Sequence, residues 1–157
     1  MSDSTPATLA LKKGKVDFSL LHYEYDPDAD RVGLQAAEAI GADPAEVFKS
    51  LMIELDGKPV CAVVPSDCEV NMKKLAKAFG GKHAAMMPPV NAERITGYKV
   101  GGISPLGQRK RVPTVLDESA MDKPLIHING GQRGLQIRIE PKALVDFMGC
   151  VVADLIR

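Results

Sequence analysis

The chain has no tryptophan, only 4 Phe and 3 Tyr, and no excess of either charge. Its 20 Lys and Arg cancel its 20 Asp and Glu. That balance excludes a protein held on nucleic acid by bulk positive charge, because such binders carry a strong basic excess. The shortage of rings argues against a broad base-stacking platform. Three cysteines, Cys61, Cys68 and Cys150, are too few and too scattered for a disulfide framework, and none forms a CxxC pair. His22, His83 and His127 form no HExxH or HxH pattern, so no metal site is expected and no cofactor is implied. No apolar run approaches the roughly 20 residues that span a bilayer, so no membrane partner is expected. The first residues lack the basic-then-apolar order of a signal peptide. A reducing, cytoplasmic location is the expectation.

What is present is an ordinary globular composition, 157 residues with 45% apolar and 25% charged side chains. This length suits one domain over residues 1–157, with a core that buries roughly 70% of the unfolded surface. Thr5-Pro6 reads as the capped start of a helix that stops near Gly14. Residues 16–25 read as extended, followed by an acidic stretch, Glu24 to Asp30, that reads as a solvated loop. Residues 33–40 read as a helix ending at Gly41, and Asp43-Pro44 as a helical turn. Residues 50–55 and 59–64 read as a hairpin, because Asp56-Gly57 suits the tight turn between two apolar runs. Asn71 reads as the cap of a helix through Phe79. Residues 114–116, 125–128 and 135–139 read as strands, and Pro141 opens a last helix that Gly149 closes. Helices and strands intermingle without regular alternation, which predicts an α+β fold with a mixed sheet.

Three features invite a chemical reading. Residues 97–107 carry four glycines, Gly97, Gly101, Gly102 and Gly107, in the run Gly97-Tyr98-Lys99-Val100-Gly101-Gly102-Ile103-Ser104-Pro105-Leu106-Gly107. Glycine lets backbone approach a ligand and lets N–H groups face an oxyanion. The spacing fits neither a P-loop nor a dinucleotide fingerprint, and a tight turn or bulge between strands is the plainer reading. A second cluster, Asn129-Gly130-Gly131-Gln132-Arg133-Gly134, reads as a hairpin loop. Third, alternation places Lys49 on a face with Leu51 and Ile53. A lysine there either reaches water or points its charge into a pocket. Basic clusters at Lys73, Lys74, Lys77 and Lys82, at Arg109, Lys110 and Arg111, and at Lys12, Lys13 and Lys15 read as solvated faces, or as phosphate contacts if the fold unites two of them. Cys61 and Cys68 read as buried structural thiols. No Ser/His/Asp order and no carboxylate pair stands out.

The combination of Phe48-Lys49-Ser50-Leu51, the Gly101-Gly102-Ile103-Ser104-Pro105-Leu106-Gly107 loop about fifty residues later, and Gly130-Gly131-x-Arg133-Gly134-Leu135 resembles the YbaK family. These are free-standing deacylases related to the editing domain of bacterial prolyl-tRNA synthetase. Thr5-Pro6-Ala7 and His22-x-Glu24-Tyr25-Asp26 also look like that family, so the resemblance runs over nearly the whole chain. It implies a mixed, partly barrel-like β-sheet flanked by helices, and an enzyme that clears mischarged tRNA without a cofactor. The closest branch removes cysteine from tRNA(Pro), acting in trans and often alongside prolyl-tRNA synthetase. Under the resemblance, Lys49 is the functional lysine, and Gly101, Gly102 and Ser104 belong to the substrate loop. Tyr23 stands near the pocket, and Asn129, where the family has serine, precedes the Gly130-Gly131 pair. Val32 stands where the closest branch has an aromatic pocket residue. The proposed family route uses the cysteine substrate's own thiol, which matches a chain without an obvious nucleophile. Two alternatives stand beside it: a deacylase for alanyl- or seryl-tRNA that uses water, and a non-catalytic module that binds tRNA or the synthetase.

Overall fold

The computed structural model describes residues 3–26 and 32–156, apart from the side chains of residues 32 and 33. Asp28 and Asp30 of the acidic stretch therefore lie outside the described residues. The chain opens with α1 (Pro6–Lys13), whose start is a reciprocal capping box. Thr8 N donates to Thr5 Oγ1 at 3.1 Å, and Thr5 N donates to Thr8 Oγ1 at 2.9 Å. Only β1 (Ser19–His22) of the expected extended run is a strand. Then follow α2 (Val32–Ile40), a 3₁₀ turn at Pro44–Glu46 capped by Asp43, and the hairpin β2 (Phe48–Leu55) and β3 (Lys58–Pro65). Asp56 at φ 51° and Gly57 at φ 80° make the turn. Two successive positive φ values match the right-handed twist of the flanking strands. Asn71 caps α3 (Met72–Ala78), its Oδ1 accepting from the N–H groups of Lys73 and Lys74.

Beyond α3 come β4 (Ala84–Met86), α4 (Pro89–Thr96), β5 (Thr114–Asp117), β6 (Ile126–Asn129), β7 (Leu135–Ile139), α5 (Pro141–Met148) and β8 (Val151–Ala153). Neither β4, α4 nor β8 is expected from the sequence. Two of these are three-residue strands held by their neighbours, and α4 has no side-chain cap to announce it.

The strands form a five-stranded mixed sheet in the order β4-β2-β3-β5-β8 and a three-stranded antiparallel sheet in the order β1-β7-β6. A parallel bridge between Val47 and His127 joins the two at one seam, giving the partly barrel-like arrangement. Alternation along the hairpin builds two cores. Phe48, Met52, Cys61 and Val63 pack with Ile126, Ile128, Ile137 and Ile139 of the second sheet. Ile53, Leu55, Val60, Ala62 and Val64 pack with Leu75 of α3 and with Leu155. β4 pairs only with Ile53–Leu55. Among the described residues no strand pairs with the first half of β2 on that side, and a cavity lies along it.

One buried carboxylate fastens the C-terminal segment. Asp117, 1% exposed, accepts at Oδ1 from Leu155 N at 2.9 Å and at Oδ2 from the N–H and hydroxyl of Ser119. Its removal leaves the buried Leu155 N–H without a partner, a cost of about 1–3 kcal/mol. Asp117→Ala is expected to lower the unfolding free energy by that order in urea denaturation; an unchanged midpoint would contradict this role.

Candidate active site

The cavity at the seam has a volume of about 290 Å³. Its walls are Val47 to Met52 of β2 and its approach, the segment Met86–Ala92, the glycine loop at Val100, Gly101 and Ile103, and Tyr23, Asn129 and Gln136 from the smaller sheet. Four of the residues singled out from sequence thus converge: Tyr23, Lys49, Gly101 and Asn129. Most of the remaining lining is apolar.

Each of the four is held by its own local structure. Lys49 is half-buried on β2, and its Nζ lies 3.5 Å from the Ser66 carbonyl. That distance is at the outer limit of a hydrogen bond, so the contact is a loose tether. Gly101 has φ +91°, and a Cβ there would lie 2.6 Å from the Tyr25 hydroxyl. Asn129 is 9% exposed, and its side-chain amide binds both glycine clusters. Its Nδ2 donates to Gly101 O at 3.1 Å, and Gly131 N donates to its Oδ1 at 2.8 Å. A serine hydroxyl is too short to span both groups, so Asn129 is a strut between the loops as well as a wall. Tyr23 N donates to Gly134 O at 2.9 Å. Burial pushes the Tyr23 hydroxyl above its usual range, while Gly134 and Gln136 pull it partly back.

Two further groups were not singled out from sequence. Ser50 Oγ and Gln136 Oε1 are buried, line the cavity and have no hydrogen-bond partner among the described residues. An unpaired buried polar atom costs about 1–3 kcal/mol, which a ligand carrying matching donors would recover. Only the register could have flagged Gln136. It pairs with Asn129 across β6 and β7, which puts both side chains on one face.

Other expected site residues fall elsewhere. Gly102 does not offer its N–H to the cavity, because that group closes a turn onto Lys99 O at 2.8 Å. Its missing side chain instead admits the second loop: a Cβ would lie 2.9 Å from Arg133 N. Ser104 is fully buried and stabilises the glycine loop from inside. Its Oγ accepts from Leu106 N at 3.2 Å, and its carbonyl accepts from Gln108 Nε2 at 3.0 Å. Gly130 and Gly131 do not line the cavity. Gly130 bonds Leu135 O through its N–H and the Thr5 hydroxyl through its carbonyl, and a Cβ on Gly131 would meet Tyr98 and Thr5. The pair seats the hairpin turn on the start of α1. Val32 opens α2, and its side chain is outside the described residues.

The glycine run is not a turn between strands. It leads from α4 to β5 and is pinned by the Tyr98 hydroxyl, which donates to Leu106 O at 2.6 Å. Burial pushes that hydroxyl up to about 12. The basic clusters take different partners. Lys73, Lys74 and Lys77 lie on α3, where Lys74 Nζ is taken by Asp154 at 2.6 Å and Ile156 O at 2.8 Å. Arg109 N and Lys110 N bond the last turn of α4, and Arg111 Nη2 donates to Met148 O at 3.1 Å.

The thiols are poor nucleophiles. Burial pushes Cys61 up to about 12. Cys68 is only partly buried, which corrects the buried reading. Its thiol is still raised, by burial first and then by Asp67 and Asp117, against a smaller opposing pull from Lys49. Neither presents a thiolate near neutral pH. A larger groove of about 530 Å³ beside α5 contains none of Tyr23, Lys49, Gly101 and Asn129.

The sequence profile of a family described as an aminoacyl-tRNA editing domain matches residues 26–147. EbsC of Enterococcus faecalis, provisionally named a Cys-tRNA(Pro)/Cys-tRNA(Cys) deacylase, is 34% identical over 154 residues, covering 96% of this chain and 92% of EbsC. A proline–tRNA ligase of Lactiplantibacillus plantarum is 30% identical over 95 residues, which are 60% of this chain and 16% of the ligase. A solved structure described provisionally as a trans-editing enzyme for prolyl-tRNA synthetase superposes with a TM-score of 0.80 at 27% identity, covering 98% of both chains. Among the described residues, no helix is long and apolar enough to cross a membrane.

Proposed function

The chain belongs to the aminoacyl-tRNA editing-domain family, and on that premise we propose that it removes cysteine from mischarged tRNA(Pro), using the substrate's own thiol as nucleophile. The observation that carries this reading is the chemistry of the cavity wall. Ser50 supplies a hydroxyl with no base bonded to it among the described residues, and the neighbouring thiols are held protonated. A nucleophile needs an adjacent base or a lowered pKa to be competent. A substrate that brings its own thiol removes that need.

In this route the cysteinyl sulfur bonds to the ester carbonyl carbon and the bond from that carbon to the ribose oxygen breaks. The thiol proton ends on the released ribose hydroxyl. A cyclic thioester leaves and is opened by water to free cysteine. The protein contributes orientation and charge stabilisation. The Gly101 N–H, which donates to no described residue, faces the developing oxyanion. Lys49, released from its tether to Ser66 O, places its ammonium near the same charge. Its four-carbon stem gives it that reach. Ser50, Gln136, Tyr23 and Asn129 shape the wall.

Zero net charge implies weak, salt-sensitive binding to tRNA alone. Lys73, Lys77, Arg109 and Lys110 are the candidate backbone contacts, and prolyl-tRNA synthetase is the proposed cytoplasmic partner that supplies further affinity. Purified protein incubated with radiolabelled cysteinyl-tRNA(Pro) is expected to release free cysteine in a multiple-turnover reaction. Binding without release would assign a non-catalytic module instead.

A further inference from the structure

Arg133 is tied to the glycine wall of the cavity by two contacts. Its guanidinium carbon lies 5.0 Å from the centroid of the Tyr25 ring, and its Nε donates to Val100 O at 2.9 Å. Val100 and Gly101 are cavity-wall residues, and the Tyr25 hydroxyl backs Gly101. One cation is thus stacked on a ring and bonded to the wall, although the residue is exposed. An exposed arginine ordinarily spends side-chain entropy to bind anything. Here the ring and the carbonyl have already fixed the fork. A guanidinium has five N–H donors, and among the described residues Arg133 uses only Nε, leaving the Nη edge for a ligand.

We propose that Arg133, held by Tyr25 and Val100, grips the last phosphodiester of the tRNA acceptor end. The proposal rests on the editing function above. A cavity of about 290 Å³ is at the lower limit of ordinary ligand pockets, which run from about 300 to 1,000 Å³. It has room for a small aminoacyl group and part of the ribose, so the phosphate must lie outside, at the mouth. Lys49 is already assigned to the oxyanion, so this phosphate needs a second cation. Arginine also suits the task chemically, since its planar fork meets two phosphate oxygens at once.

The test compares cysteinyl-tRNA(Pro) with cysteinyl-adenosine, which has the ester and the base but no phosphate. Arg133→Ala is expected to raise the KM for the tRNA about 10-fold more than the KM for the nucleoside, the order of one lost charge-assisted contact. Arg133→Lys should recover little of this, because an ammonium cannot stack and fork in the same way. Equal changes on both substrates would mean a structural role and overturn the proposal. A second measurement does not depend on cleavage: binding of an uncharged RNA oligonucleotide ending in CCA. Arg133→Ala should reduce the slope of log affinity against log salt by about 0.7, one single-stranded phosphate contact. An unchanged slope overturns the clamp. A wild-type protein that cleaves neither ester defeats the editing function alone, and the oligonucleotide slope still decides the clamp.

Discussion

Lys49→Ala is expected to lower the rate of cysteinyl-tRNA deacylation by about 100-fold or more, the usual cost of removing one group that stabilises charge in the transition state. The fold should survive the change. Lys49 is half-buried on a strand whose hairpin pairing is made by backbone, and its 3.5 Å approach to Ser66 O contributes little. Urea denaturation should therefore show a near-normal midpoint beside the collapsed rate. The split between the two readouts is what the role requires. A folded Lys49→Ala protein that turns over normally would remove Lys49 from the reaction.

Gly101→Val is expected to abolish activity for a different reason. At φ +91° a β-branched side chain is strained whatever space surrounds it. Its Cβ would also fall 2.6 Å from the Tyr25 hydroxyl. The loop must move, carrying with it the Gly101 N–H and the carbonyl held by Asn129. A displacement of about 1 Å at a reacting centre can cost around 100-fold in rate. The same strain should cost about 1–3 kcal/mol of stability, so kcat must be read on protein shown to be folded by circular dichroism. Wild-type turnover in that sample would mean that the loop does not set the reaction geometry.

The parts of the fold that were legible in sequence are those with local causes. The Thr5 cap, the Asp56-Gly57 turn, the Asn71 cap and the Gly149 stop each act within a few residues, and each lies where its chemistry predicts. β4 and β8 were not legible, since three residues in a strand owe their state to pairing with Ile53–Leu55 and Val115–Asp117. The site divides in the same way. Lys49 and Gly101 carried their own signals, an ammonium on an apolar face and a glycine in a dense run. Gly102, Gly130 and Ser104 looked equally functional in sequence, yet Gly102 and Gly130 let one loop pack against another segment and Ser104 braces the glycine loop from inside. A glycine chosen for close backbone approach and a glycine chosen for a ligand leave the same letter. Gln136 and Ser50 gave no signal, because being unpaired is a property of the assembled cavity.

Whether the substrate supplies the nucleophile is decided by the rates at which the wild-type protein deacylates cysteinyl-, seryl- and alanyl-tRNA(Pro) under identical conditions. Serine differs from cysteine by one atom, and pocket fit separates such close analogues by about 10–200-fold. A preference for cysteine well beyond that range is expected, because a hydroxyl does not replace the thiol in the attack. Serine or alanine released as fast as cysteine would contradict it and assign the cleavage to water.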